Sequence, residues 1–421
     1  MTVEVLLMNR TAVAMAADSA VSVTEDSRVL SAQTGVQKVF VLNSQTASGL
    51  MVHGLAEFCG CPWATVVEAF KAKGLGGEPT LAATVESLAG LLRSLYGGEL
   101  VSREQAATYF RFFVAYSVRD FQLHYERLQA AAPGRPKDEL LSLALEHLRS
   151  EVMETTVYGD EGPKQVQRGR VGEETQVLQA LIAENLDEVL ELMADDLLGH
   201  GVVSREMRAK LAGVVRAGLT TTWMPSELPT TGVVVAGFGR DEISPSYFEL
   251  QVYGLVGDVL KYDYSDAGRL GPELPVVIKS FAQDSAVNRF LRGADWVFLA
   301  NTDYASAHLA NEMFQDMFQG GNMDAGQKKA LTGQMTGLVA EAVRFGLYQA
   351  MRARFTYVLD TYGSKVRSAT SAEPLGRLAG QLLTLPIVES ELTGNLTVAR
   401  PFSILRLSKG GASLSLEKDL I

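Results

Sequence analysis

Val3-Glu4-Val5-Leu6-Leu7, then Ala12-Val13-Ala14-Met15-Ala16-Ala17-Asp18-Ser19, decide how the rest of this 421-residue chain is read. Asn9-Arg10 between them marks a turn. After a polar gap come Val36-Gln37-Lys38-Val39-Phe40-Val41-Leu42 and Gly49-Leu50-Met51-Val52-His53-Gly54-Leu55-Ala56. Apolar and β-branched runs between turn formers predict strands. Residues 1–56 are therefore expected to form two β-hairpins in series, with an extended loop through Thr24-Glu25-Asp26-Ser27. Each strand end presents a residue that hydrolytic chemistry uses: Thr2, Asp18, Lys38 and the amide of Gly54.

The threonine behind Met1 carries the chemistry. An initiator methionine is usually removed before a small residue, which leaves Thr2 with a hydroxyl and a free α-amine. That amine has an ordinary pKa near ~8, so part of it is neutral base at neutral pH. It can take the hydroxyl proton directly or through a water. A nearby ammonium such as Lys38 lowers the amine's pKa further and holds the alkoxide. Asp18 can fix Lys38 in place. Gly54, lacking a Cβ, can bring a backbone N–H close to the reacting carbonyl as an oxyanion donor. Taken singly, each residue has a plain structural role, as a strand end or a turn. Their order and spacing favour the chemical one.

Segments 12–21 (AVAMAADSAV), 35–42 (GVQKVFVL) and 49–57 (GLMVHGLAE) resemble the opening of proteasome β-subunits and their bacterial β-like relatives, which are N-terminal nucleophile hydrolases. The resemblance implies Thr2 as nucleophile, Asp18 as its carboxylate partner, Lys38 as charged neighbour and Gly54 as oxyanion donor. It also implies two helices covering one face of a sheet directly after this opening. Only Met1 precedes Thr2, as in the β-like bacterial members.

Two cysteines, Cys59 and Cys61, argue against a secreted disulfide framework, and their pairing with Gly60 reads as packing at a helix entry. The formal charge of −11 disfavours nucleic acid or an anionic membrane as partner. No apolar run approaches the ~18 residues of a membrane span, and no signal peptide is legible, so a cytoplasmic protein is expected. No cofactor or metal is called for.

Downstream, Pro62 and Pro79 open two predicted helices, the second ended by Gly97-Gly98. Residues 99–227 show helical periodicity and no obvious strand, so an inserted α-helical subdomain is expected there. Ser102-Arg103-Glu104-Gln105 reads as a capped start to an aromatic-rich helix through Tyr109, Phe110, Phe113 and Phe121. Further helices are expected at about 137–153, 178–197 and 204–219, and 158–172 reads as an exposed loop. Thr231–Gly239 and Tyr247–Gly254 read as paired strands. A strand at 277–280, a turn and a helix from Ser285 follow. The family supplies a serine from this turn; Ser285 is the first candidate and Ser280 the second, and helix capping explains Ser285 equally well. Long helices are expected over 304–363, interrupted at Gly320-Gly321-Asn322, then a helix stopped by Pro386 and a closing strand over 397–407. Relatives carry two glycines where Ala399 and Arg400 stand. Their orienting Asp and Ser correspond to Asn395 and Val398.

The fold expectation is α+β: a four-layer α-β-β-α sandwich over residues 1–98 and 228–421, with the helical insertion at 99–227. The expected function is an N-terminal threonine hydrolase, a peptidase or amidase acting through an acyl-enzyme ester. The alternative is a catalytically silent proteasome-like scaffold subunit. Expected partners are a peptide or amide substrate and, from the family's habit, further copies of the chain in a homo-oligomer.

Overall fold

A computed structural model describes residues 3–25, 28–33, 35–132, 134–159, 162–282, 285–318, 324–393 and 398–417. Among them the fold is mixed α+β with antiparallel sheets. Strands β1 (Val3–Met8), β2 (Ala12–Ala17), β3 (Val21–Glu25), β4 (Arg28–Gln33), β5 (Val39–Asn43) and β6 (Ser48–Gly54) come first, then the short pair β7 (Glu57–Phe58) and β8 (Cys61–Pro62). Helices α1 (Trp63–Ala72), α2 (Leu81–Ser94), α3 (Arg103–Ala131) and α4 (Lys137–Met153) lead to strands β9 (Glu154–Gly159) and β10 (Gly162–Gln167). Then come α5 (Gln176–Leu198), α6 (Arg205–Leu219) and strands β11 (Thr231–Gly237), β12 (Ser246–Val256), β13 (Val259–Arg269) and β14 (Val277–Ala282). The last stretch holds α7 (Ser285–Arg292), α8 (Trp296–Phe318), α9 (Ala325–Thr361), α10 (Gly363–Ser368), α11 (Ala372–Thr393), β15 (Phe402–Ser408) and β16 (Gly411–Glu417).

The chain divides into two compact units, one of Met1–Val39, Leu270–Lys409 and Ser413–Ile421, the other of Phe40–Arg269 and Gly410–Ala412. The helical stretch 99–227 lies wholly within the second unit.

In the first unit the sheet order is β14-β1-β2-β15-β16. The hairpin turns at Asn9-Arg10 as expected, with Val5 opposite Ala16 and Leu7 opposite Ala14. Side chains alternate across a sheet, so Val3, Val5, Leu7, Ala14, Ala16 and Ile404 share one face. There they pack with Leu375, Ala379 and Leu383 of α11. The alanines of β2 leave room for that helix to lie close. Two expectations fail here. Val21–Glu25 and Arg28–Gln33 pair as strands β3 and β4, so Thr24 and Glu25 are strand residues where a loop through 24–27 was expected, and Asp26 and Ser27 lie outside the described residues; the alternation Val21, Val23 against Ser22, Thr24 was the signal. Pro386 does not stop a helix, because α11 runs on to Thr393. An interior proline costs ~3 kcal/mol, and the packing of Leu382, Leu383, Leu385 and Ile387 outweighs it.

In the second unit the sheet order is β13-β12-β11-β6-β5. Val233 lies between Val52 and Leu250 in register, and these side chains meet Trp63 and Phe70 of α1 and Leu88 and Leu92 of α2. Two helices thus cover one face of this sheet. The helices of 99–227 are where expected. Ser102 and Gln105 form a reciprocal capping box at the start of α3. The stretch is not strand-free, however: β9 and β10 pair with Tyr158 opposite Pro163. Thr155-Thr156-Val157-Tyr158 has the β-branched and aromatic character of a strand, which the glycines and charges after it obscured. Nor do these helices keep a core of their own. Phe110, Phe113 and Phe121 of α3 and Val214 and Val215 of α6 share one cluster with Tyr253, Val256 and Val259 of the sheet.

Lys261 fastens these helices to β13. It is 0% exposed. Its Nζ donates to the carbonyls of Gly218 (2.7 Å), Trp223 (2.8 Å) and Thr221, and it lies over the Phe113 ring. Burial pushes the ammonium well below its ordinary range, with Arg168 adding to the effect and Asp263 opposing it. The three carbonyls also oppose it, since they match the three donors of an ammonium. No helix among the described residues is long and apolar enough to cross a membrane. Lys261→Met keeps the bulk but leaves the carbonyls of Thr221 and Trp223 without their donor, each worth ~1–3 kcal/mol, while Gly218 keeps the Thr221 N–H and hydroxyl. We expect it to lower the urea midpoint of unfolding by an amount equivalent to at least ~2 kcal/mol; an unchanged midpoint would show that the lysine fastens nothing.

Candidate active site

Asp18 follows β2 and Lys38 precedes β5, and the first unit brings the two together. Asp18 is 0% exposed and Lys38 3%. Lys38 Nζ donates to Asp18 Oδ1 at 2.8 Å and also to the carbonyl of Ala20. The same Oδ1 accepts the Val3 N–H at 3.1 Å. Oδ2 accepts the N–H groups of Ala20 at 2.9 Å and Ala399 at 3.3 Å. A carboxylate offers about four lone-pair sites, and here each has a donor. Asp18 is therefore built as an acceptor that holds its neighbours, not as a group that passes protons.

This carboxylate ties together three places distant in sequence: the start of β1, the end of β2 and the segment before β15. Ser19 reinforces the last link, its N–H donating to the Ala399 carbonyl at 3.1 Å. Lys38 places a positive charge beside the start of β1 in a site closed to water. Charge interactions there are stronger than at the surface.

The other expected site residues fare differently. Thr2 and Asn395 lie outside the described residues. Gly54 ends β6 in the second unit with φ +80, and a Cβ there would meet the Thr230 carbonyl oxygen at 2.4 Å. The strand pairing thus requires glycine at this position whatever its chemistry. Ser285 is the first residue of α7 and half-buried. Ser280 lies within β14, opposite Val5. Neither is among the described donors to Asp18. Val398 is buried in the core with Phe402 and Leu383, so it supplies no orienting hydroxyl. Cys59 and Cys61 are buried free thiols. Cys59 Sγ accepts the Leu255 N–H at 3.1 Å, and burial pushes its pKa up to about 12, which suits packing and not reactivity.

Glu4 was not anticipated. It is fully buried on β1, opposite Ala17 and Phe281, on the sheet face turned away from Val3 and Val5. A lone charge inside an otherwise apolar first strand was the available signal. No known protein-family model matches this sequence, and no curated protein does.

Removing one member of a buried ion pair leaves the other charge uncompensated, at a cost of ~3–5 kcal/mol. Asp18→Ala strands both the Lys38 ammonium and three backbone N–H groups, so we expect it to destabilise the protein more than Lys38→Met. Chemical denaturation of the two variants checks the order. Equal stability of Asp18→Ala and wild type would mean the pair is not closed from water.

Proposed function

We propose that this protein is an N-terminal threonine hydrolase, a peptidase or amidase working through an acyl-enzyme ester on Thr2. The observation that carries this is the Lys38 ammonium, buried and locked to the carboxylate oxygen that also accepts the Val3 N–H. Thr2 is the residue bonded to Val3. In the proposed reaction the neutral α-amine of Thr2 takes the hydroxyl proton as Oγ attacks the substrate carbonyl carbon. The positive charge of Lys38 keeps the amine from being charged beforehand and stabilises the forming alkoxide. The tetrahedral oxyanion is met by a backbone N–H donor. Collapse breaks the C–N bond, and the α-ammonium returns its proton to the leaving amine. Water then hydrolyses the ester by the same proton route, regenerating Thr2.

The four-layer sandwich belongs to this proposal. Each unit has a sheet with helices on one face, which is half of such an arrangement. A cytoplasmic homo-oligomer acting on peptide or amide substrates completes it.

A silent scaffold subunit is the second reading, favoured by one observation. Val398 is an apolar core residue where the resemblance calls for an orienting group, so Thr2 has less help than in active relatives.

A β-lactone or epoxyketone probe separates the two. We expect labelling at Thr2, its loss in Thr2→Ala with fold retained, and the loss of most labelling in Lys38→Ala. Lys38→Arg should fail as well, since the planar guanidinium directs its donors differently. Equal labelling of Thr2→Ala and wild type, or Met1 retained in the intact mass, would sink the enzyme reading.

A further inference from the structure

The turn between β1 and β2 and the connection between α10 and α11 line one cleft of about 430 Å³, at the other end of β1 from the Asp18 bond to Val3. Its polar lining is Arg10 and Arg367 with Thr11, Ser368, Thr370 and Asn9, and it includes no carboxylate. Both arginines are exposed, and neither pairs with a carboxylate among the described residues. In a chain of net charge −11, two uncompensated guanidiniums in one cleft are set to receive an anion.

The cleft is built, not incidental. Asn9 is 2% exposed. Its Nδ2 donates to the carbonyls of Val366 and Ala369, both at 2.7 Å. Its Oδ1 accepts the N–H groups of Thr11 and Ala12, both at 2.9 Å, and the Thr11 hydroxyl at 3.0 Å. Asn9 thereby locks two segments that are 357 residues apart. Arg10 and Arg367 each follow directly on a locked residue, so both are carried to the same cleft. The lock also occupies carbonyls at the end of α10 that would otherwise repel an anion. The first turn of α11 begins two residues beyond Thr370, and its Glu373 is engaged by Arg406 at 2.9 Å.

We propose that this cleft binds the phosphate group of a small molecule, held by the forks of Arg10 and Arg367 and by the hydroxyl of Thr370 beside them. Arginine pairs bidentately with phosphate oxygens. The volume exceeds what a lone phosphate fills and leaves room for the body of a small phosphate ester. This site is independent of the activity proposed for Thr2.

Isothermal titration calorimetry on the full chain at constant ionic strength tests it, with inorganic phosphate in one arm and glycerol 3-phosphate in the other. Binding of either supports the site, and tighter binding of the ester assigns it to phosphate esters. Arg10→Gln and Arg367→Gln should each weaken binding by about tenfold or more, as for loss of a charge-assisted pair, and the double variant should lose it. Thermal melts without ligand check that the variants fold. Should either melt early, Arg→Lys at the same position replaces it, keeping the charge while losing the fork, with weakened binding expected. No binding in either arm, or equal binding by the double variant, would overturn the proposal.

Discussion

The Asp18–Lys38 pair is the constraint on which the first unit depends. Sealing two charges from water costs several kcal/mol per ion unless partners replace the solvent. Asp18 meets that demand with four donors, and in doing so fixes the start of β1, the end of β2 and the segment at Ala399 in one place. The carboxylate would have a structural purpose even without the lysine, because three of its donors are backbone N–H groups. Lys38 is harder to account for in that way. A buried ion pair is weak evidence of a stability device, since apolar side chains of similar size serve as well. A reason for keeping the ammonium has to be sought in what stands next to it.

Much of the fold was legible in residues 1–56 and 231–256, because the apolar runs there are strand-length and bounded by turn formers. Capped helices were equally legible: the box at Ser102 and Gln105 sets the start of α3 by local chemistry alone. The failures share a physical cause. At 21–33 and 154–167 the strands are polar, so turn-like composition masked β-branched residues. At Pro386 a local rule was overridden by packing that is not local. The strand β13 drew no expectation at all, although Val259-Leu260 opens it with buried residues.

The site was legible only where chemistry is carried by residue type and order. Asp18 and Lys38 were found in this way, and they meet as expected. Glu4 was missed because one charge in an apolar strand is easily taken as alternation. Arg10 and Arg367 were beyond sequence reasoning, since nothing local links residues so far apart; their link is a single buried amide.

The two ends of β1 use the same device. At one end a carboxylate, at the other an asparagine, each saturated with hydrogen bonds, pins the strand to segments far along the chain. Between them Val3, Val5 and Leu7 pack under α11. A strand held at both ends and along one face has little freedom to shift register, because a one-residue slip would turn its apolar set over and break both clamps. That rigidity bears on function. Under the function proposed above, the nucleophile is bonded to the first residue of a strand fixed in this way, and catalysis by positioned groups requires such a support. Conversely, a strand clamped against any shift of register gives an anion bound at its far end no route to its start, so the two proposed sites are expected to act independently.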